Sequence, residues 1–156
     1  MSHSPLAPRE LFEKMLEYMP IPTFDLIIEY GDQGVLVVKR KIEPYKNVWA
    51  LPGLRMFKGE SIDDTLKRIA KQEVGLHIDV KQKVLMGQFV GKFSTENNRQ
   101  DISTCYAVRV SSSQSLKINE AHFSRHQFVR TVPKPIGAMY KEYLNSYFAL
   151  RATFSR

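Results

Sequence analysis

Between Arg9 and Met19 the apolar residues Leu11, Phe12, Met15, Leu16 and Met19 recur every three or four positions, a spacing that predicts a helix ended by Pro20 and Pro22. The pattern then changes. Thr23–Tyr30 and Val35–Lys41 are dense in β-branched and aromatic side chains and flank Gly31-Asp32-Gln33-Gly34, so they read as two strands joined by a hairpin turn. Val48–Leu51, Val84–Phe93 and Ile102–Val110 have the same strand character, and Gln127–Thr131 is a candidate last strand. The polar stretch Ser94–Asp101 predicts a loop, and Ser111–Ser115 a short connection within one domain. Behind Pro133 and Pro135, Ile136–Leu150 reads as a closing helix rich in Tyr and Phe. Residues 1–8 contain Pro5 and Pro8, which discourage helix, and are expected to form a flexible leader before a single domain over 9–156.

The most structured signal runs from Trp49 to Leu76. Ser61 is suited to cap a helix, Asp64 completes a capping box, and Gly75 supplies the stop. At about 100° per residue, Ile62, Leu66, Ile69, Ala70 and Val74 share one face, while Asp64, Lys67 and Lys71 lie opposite. Glu73 falls in the middle of the apolar face. A carboxylate there is costly unless its charge is compensated, by a divalent cation or by pairing with Arg68 or Lys39.

Composition narrows the partners. A chain of 156 residues can bury one proper core. No apolar run reaches the ~18 residues of a membrane span, and Met1–Arg9 lacks a secretory apolar stretch. A lone cysteine, Cys105, rules out an intramolecular disulfide and points to a reducing compartment, so a cytoplasmic location is expected. The formal charge of +7 calls for an acidic partner. The basic residues are too dispersed for a nucleic-acid site. A local group of Lys39, Arg40, Lys41, Lys46, Arg55, Lys58 and Arg68 brackets the central segment and suits a diphosphate, with a solvated surface as the alternative for Lys41 and Lys46.

The central segment resembles the Nudix box, written G-x5-E-x7-R-E-U-x-E-E-x-G-U with U aliphatic, over about residues 53–76. Glu60, Arg68, Ala70, Glu73, Gly75 and Leu76 stand where the pattern wants them, whereas Leu54, Ile69 and Gln72 replace a glycine and two glutamates. These losses, together with Thr23–Ile28, Gly87-Gln88-Phe89, Cys105–Val108 and LKINEAH from Leu116 to His122, resemble the GDP-mannose mannosyl hydrolase branch. The resemblance implies the Nudix fold, an α/β fold with a mixed β-sheet sandwiched between helices. An added N-terminal helix would help build a homodimer.

The same resemblance implies site roles. Glu73 and the carbonyl of Gly53 would hold Mg²⁺, with Mn²⁺ as the alternative; the family's third ligand, a glutamine, is Ala121 here, next to Glu120. His122 would be the general base, with His126 as its competitor and His77 a surface residue. Arg55 and Tyr106 would stabilise the leaving group, Arg40 and Arg68 would bind phosphate, and Asp25 the sugar. Glu60 would organise the loop. The missing carboxylates remove the multi-metal arrangement used for attack on phosphorus. The expected activity is Mg²⁺-dependent hydrolysis of a nucleoside-diphosphate sugar of the GDP-mannose type at the anomeric carbon, releasing sugar and nucleoside diphosphate. Two alternatives stay open: a Nudix pyrophosphatase cleaving the P–O–P bond of an ADP-ribose-like or nucleotide substrate, and an inactive nucleotide-sugar sensor, favoured by Ala121 and Gln72.

Overall fold

The computed structural model describes residues 5–154. The expected leader 1–8 therefore falls partly outside the described residues, and positions 5–8 carry neither helix nor strand. The elements are α1 (Arg9–Tyr18), β1 (Ile21–Tyr30), β2 (Val35–Arg40), β3 (Trp49–Ala50), β4 (Gly53–Arg55), α2 (Ile62–Val74), β5 (Val84–Phe93), β6 (Arg99–Val110), β7 (Phe123–Val129) and α3 (Ala138–Phe154). Most match the sequence pattern to within a few residues. Three differences matter. Gly53–Arg55, beyond the expected strand Val48–Leu51, is a short strand paired with β1. The last strand begins at Phe123 rather than Gln127, because the exposed, polar Ser124, Arg125 and His126 hide it from a hydrophobicity reading. Ile62, assigned to the apolar face of α2, is exposed at the helix start, and Thr65 is buried in its stead.

The strands form one mixed sheet with β1 at its centre. β1 pairs in parallel with β6 along its whole length, from Ile21↔Asp101 to Tyr30↔Val110, and β5 continues antiparallel beyond β6. On its other edge β1 changes partner. Near the hairpin it pairs with β2 at Glu29↔Val35, and at its start it pairs with β4 at Thr23↔Arg55 through Asp25↔Gly53. β2 meanwhile takes β3 and β7 as neighbours. β1 and β2 thus leave the hairpin together and then part, which opens a gap in the sheet.

β1 is buried at almost every position, as a strand covered on both faces must be. One face carries Asp25 and Glu29, which reach α3 through Ser103–Tyr143 and Tyr147 respectively. α2 packs on β1 and β4 with Leu66, Ile69, Ala70 and Val74 inward. Its ends follow the expected chemistry. Ser61 and Asp64 form the reciprocal capping box, and Gly75 takes φ 70° at the C-cap, where Lys117 packs against it.

Candidate active site

The gap between β2 and β4 opens into a cavity of about 420 Å³. Asp25, Arg40, Gly53, Arg55, Arg68, Glu73 and His122 all line it, although they come from β1, β2, β4, α2 and the loop before β7. Of the residues expected to bind substrate or metal or to act in catalysis there, Tyr106 does not line it. Alternation along β6 explains why. Asp101 lines the cavity and Ser103 bonds Asp25, so Tyr106 has the opposite parity. Its ring stacks on Phe24 at 6.4 Å and lies 6.0 Å from Lys83 Nζ, so the leaving-group role expected for it has no geometric basis.

Glu73 is 2% exposed, as its place on the apolar face of α2 predicts. Its partner is neither Arg68 nor Lys39. Oε1 lies 2.8 Å from His122 Nδ1 and 3.2 Å from Asn119 Nδ2. The loop that brings these two residues is stitched to the end of α2 by Lys117 N–H to Val74 O (3.0 Å) and Asn119 N–H to Glu73 O (2.8 Å). A third stitch, Lys41 N–H to His122 O at 2.8 Å, ties it to the end of β2. The competitor His126 is exposed on β7 and does not line the cavity. His77 is exposed as expected.

Glu60 and Arg68 make a different pairing. Arg68 Nε donates to Glu60 Oε1 at 2.5 Å and Nη2 to Oε2 at 2.8 Å; Phe57 N–H and Thr65 Oγ1 also donate to Oε2. Arg68 Nη2 further bonds the Arg55 carbonyl, and its guanidinium lies 3.8 Å from the Phe57 ring centroid. These donors hold the Glu60 carboxyl down at about 2. Arg68 is thus largely committed to the loop before α2, and only its buried Nη1 lacks a protein partner. Arg55 is held by stacking instead, 4.1 Å from the Phe12 ring of α1. Burial, then the nearby Arg99 and Arg68 charges, lower its proton affinity. A guanidinium crowded by like charge favours an incoming anion.

Asp25 is 3% exposed and receives Ser103 Oγ on Oδ2 at 2.5 Å. Burial pushes its carboxyl up to about 7, against the lowering effects of the Ser103 bond and of Arg40, while Asp101 pushes the same way as burial. A Cβ on Gly53 would collide with Asp25 Oδ1 and with the Phe24 carbonyl, so only glycine lets β4 approach β1 here. Arg40 bonds the Pro44 and Glu43 carbonyls, which anchors the 41–47 loop beside the cavity.

Several lining residues carried no sequence signal. Arg99, at the start of β6, is ion-paired with Asp101 (2.5 Å) and Glu96 (3.4 Å). Tyr45 lies between Phe93 and Tyr140, with ring centroids 5.3 and 5.2 Å away, and its φ of 62° is the left-handed region that a bulky residue seldom adopts. Asn119, which bonds Glu73 without lining this cavity, is indistinguishable in sequence from any polar loop residue.

Among the described residues no three His, Cys, Asp or Glu side chains cluster to hold a metal. The donors present fit a single hard cation. Glu73 Oε1 is used by His122 and Asn119, while none of the described residues donates to Oε2, which is left as a ligand atom on a residue that lines the same cavity as Gly53. Mg²⁺ accepts such a sparse oxygen set when water and phosphate complete it. Ala121 offers no side-chain ligand, and its amide is turned to Asn119 Oδ1 at 3.1 Å.

A family model described as the NUDIX domain matches residues 19–135. The chain is 30% identical over 90 residues to the low-salt glycan biosynthesis protein Agl8 of Haloferax volcanii, covering 58% of this chain and 56% of that one. It is 38% identical over 73 residues to an ADP-ribose pyrophosphatase of Methanocaldococcus jannaschii, covering 47% and 43%. The chain thus spans about half the length of these curated relatives. The crystal structure of a MutT NUDIX hydrolase from Burkholderia pseudomallei superposes with a TM-score of 0.71 at 18% identity, over 82% of this chain and 98% of that one, a likeness of fold.

Proposed function

The chain belongs to the NUDIX family, and on that premise we propose that it hydrolyses a nucleoside-diphosphate sugar at the anomeric carbon. The observation that carries this reading is the pairing of buried Glu73 with the partly exposed His122 on a cavity that also holds Arg40, Arg55 and Asp25. With Nδ1 turned to Glu73, the His122 Nε2 faces outward as a base. It takes a proton from water, the water oxygen bonds to the anomeric carbon, and the carbon–oxygen bond to the diphosphate breaks with its electrons on the departing oxygen. The sugar is released with inverted configuration. Arg40 and Arg55 receive the diphosphate, with the charge of Arg68, which lines the same cavity, adding to the field; Asp25, placed between Ser103 and the cavity, receives sugar hydroxyls. Mg²⁺ or Mn²⁺, held by Glu73 Oε2 and the Gly53 carbonyl, would offset charge on the diphosphate. A homodimer through α1 belongs to the same reading, since Leu11, Tyr18 and Met19 are exposed there and Phe12 supports Arg55.

The relative named ADP-ribose pyrophosphatase favours a second reading, attack on phosphorus of an ADP-ribose-like substrate. Hydrolysis in ¹⁸O-labelled water separates the two. Label in the free sugar and none in the nucleoside diphosphate is the expected result; label in a phosphate product would establish the pyrophosphatase. Binding without turnover across a panel of sugar nucleotides and ADP-ribose, with Mg²⁺ present, would mark the chain as a sensor.

A further inference from the structure

Asn119 sits between the two groups that face the cavity. Its backbone N–H donates to the Glu73 carbonyl at 2.8 Å, and its own carbonyl accepts from His122 N–H (3.0 Å) and Phe123 N–H (2.9 Å). Its side chain is used at both ends. Oδ1 accepts from Ala121 N–H at 3.1 Å, which fixes the orientation of the amide. Nδ2 then lies 3.2 Å from Glu73 Oε1 and 3.2 Å from His122 Nδ1, and those two atoms are 2.8 Å apart.

Three polar atoms thus form a closed triangle, and for a neutral ring beside an ionised carboxylate chemistry leaves one consistent placement of hydrogens. Nδ2 can only donate. An ionised Glu73 Oε1 can only accept, and it has lone pairs for two donors. A lone pair on His122 Nδ1 would point at a carboxylate oxygen 2.8 Å away, so Nδ1 carries the hydrogen. The ring is therefore the Nδ1–H tautomer, with its lone pair on Nε2. Asn119 supplies the second hydrogen bond that keeps Oε1 turned to the ring.

We propose that Asn119 is a positioning residue: by holding Glu73 Oε1 against His122 it fixes the imidazole tautomer and aims Nε2 at the attacking water. This rests on His122 being the base of the reaction proposed above, but the tautomer is measurable without substrate. The test is ¹⁵N-edited NMR of the imidazole nitrogens in metal-free protein, at a pH where the ring is neutral. Asn119→Asp and Asn119→Ser are compared with wild type. Both keep an oxygen for the Ala121 amide. The aspartate, which is nearly isosteric, replaces the donor by a second acceptor, and the serine is too short to serve Glu73.

The wild-type ring is expected as Nδ1–H, and both variants as mixtures with a clear Nε2–H population. Turnover should fall roughly 10- to 100-fold, the usual loss when a group supporting a functional ligand is removed. KM should stay within about twofold, since the water and not the substrate loses its partner. An Nε2–H ring in the wild type, or an unaltered Nδ1–H ring in both folded variants, would overturn the proposal. If no substrate turns over, the NMR result still decides it, and the failure lies with the reaction.

Discussion

Glu60 and Glu73 stand at opposite ends of α2 and both lie in or beside the cavity, yet they are used in opposite ways. Glu60 precedes α2 and has both oxygens filled by Arg68, Phe57 and Thr65. Glu73, in the last turn, has one oxygen filled by His122 and Asn119 and the other left open. A saturated carboxylate is closed to ligands and can only brace the chain around it. A half-satisfied one, buried to 2%, is expensive in the free protein and becomes settled when something enters the cavity. The helix therefore carries a brace at one end and a receptor at the other.

Removing the receptor should have the largest effect. Glu73→Gln and His122→Gln are each expected to lower turnover by roughly 10²–10⁴ with the fold retained, checked by initial rates beside circular dichroism. Full activity in either variant at saturating metal would erase the contrast between the two acids. Removing the brace should act on stability. Arg68→Met leaves Glu60 without its bidentate partner, and a loss of about 3 kcal/mol in urea unfolding is expected from breaking such a pair. The folded fraction should keep its turnover within about tenfold, because Arg68 is spent on Glu60 and the Arg55 carbonyl.

The smallest effect, and the one that sharpens the contrast, is in pH dependence of the metal-free protein. Glu60 is lowered from 4.5 to about 2, chiefly by the Arg68 bond, so its contribution is complete above 4.5 and is lost as pH falls towards 2. Asp25 is raised from 3.8 to about 7, chiefly by burial. Its contribution is complete below 3.8 and is lost as pH rises through 7. Chemical denaturation across this range should show Glu60→Gln flattening the acid limb alone and Asp25→Asn the near-neutral limb alone. Identical profiles in the two variants would contradict it.

The helix was legible from sequence and the receptor at its end only half so. Ser61, Asp64 and Gly75 announce α2 by local chemistry, and the helical period alone puts Glu73 inward. Asn119 obeys no period; its importance comes from where the loop folds back on α2. Tyr106 was misplaced for a related reason. Alternation along β6 is plain in the sequence, but which parity faces the cavity depends on the side from which α3 covers the sheet. The early start of β7 was hidden because an exposed strand needs no apolar residues between its anchors. Arg99 likewise opens β6 from within a stretch that polarity alone marks as loop.

The stitching of the 117–122 loop to the end of α2 has a consequence for motion. The amides of Lys117 and Asn119 bond the last carbonyls of the helix, so they cannot meet solvent unless that turn opens as well. His122 and Glu73 then belong to one cooperative unit, and the hydrogen-exchange rates of this loop should rise and fall together with those of the final turn of α2. Fraying at this corner disables the whole dyad at once, whereas opening of the distant β5 edge leaves it intact.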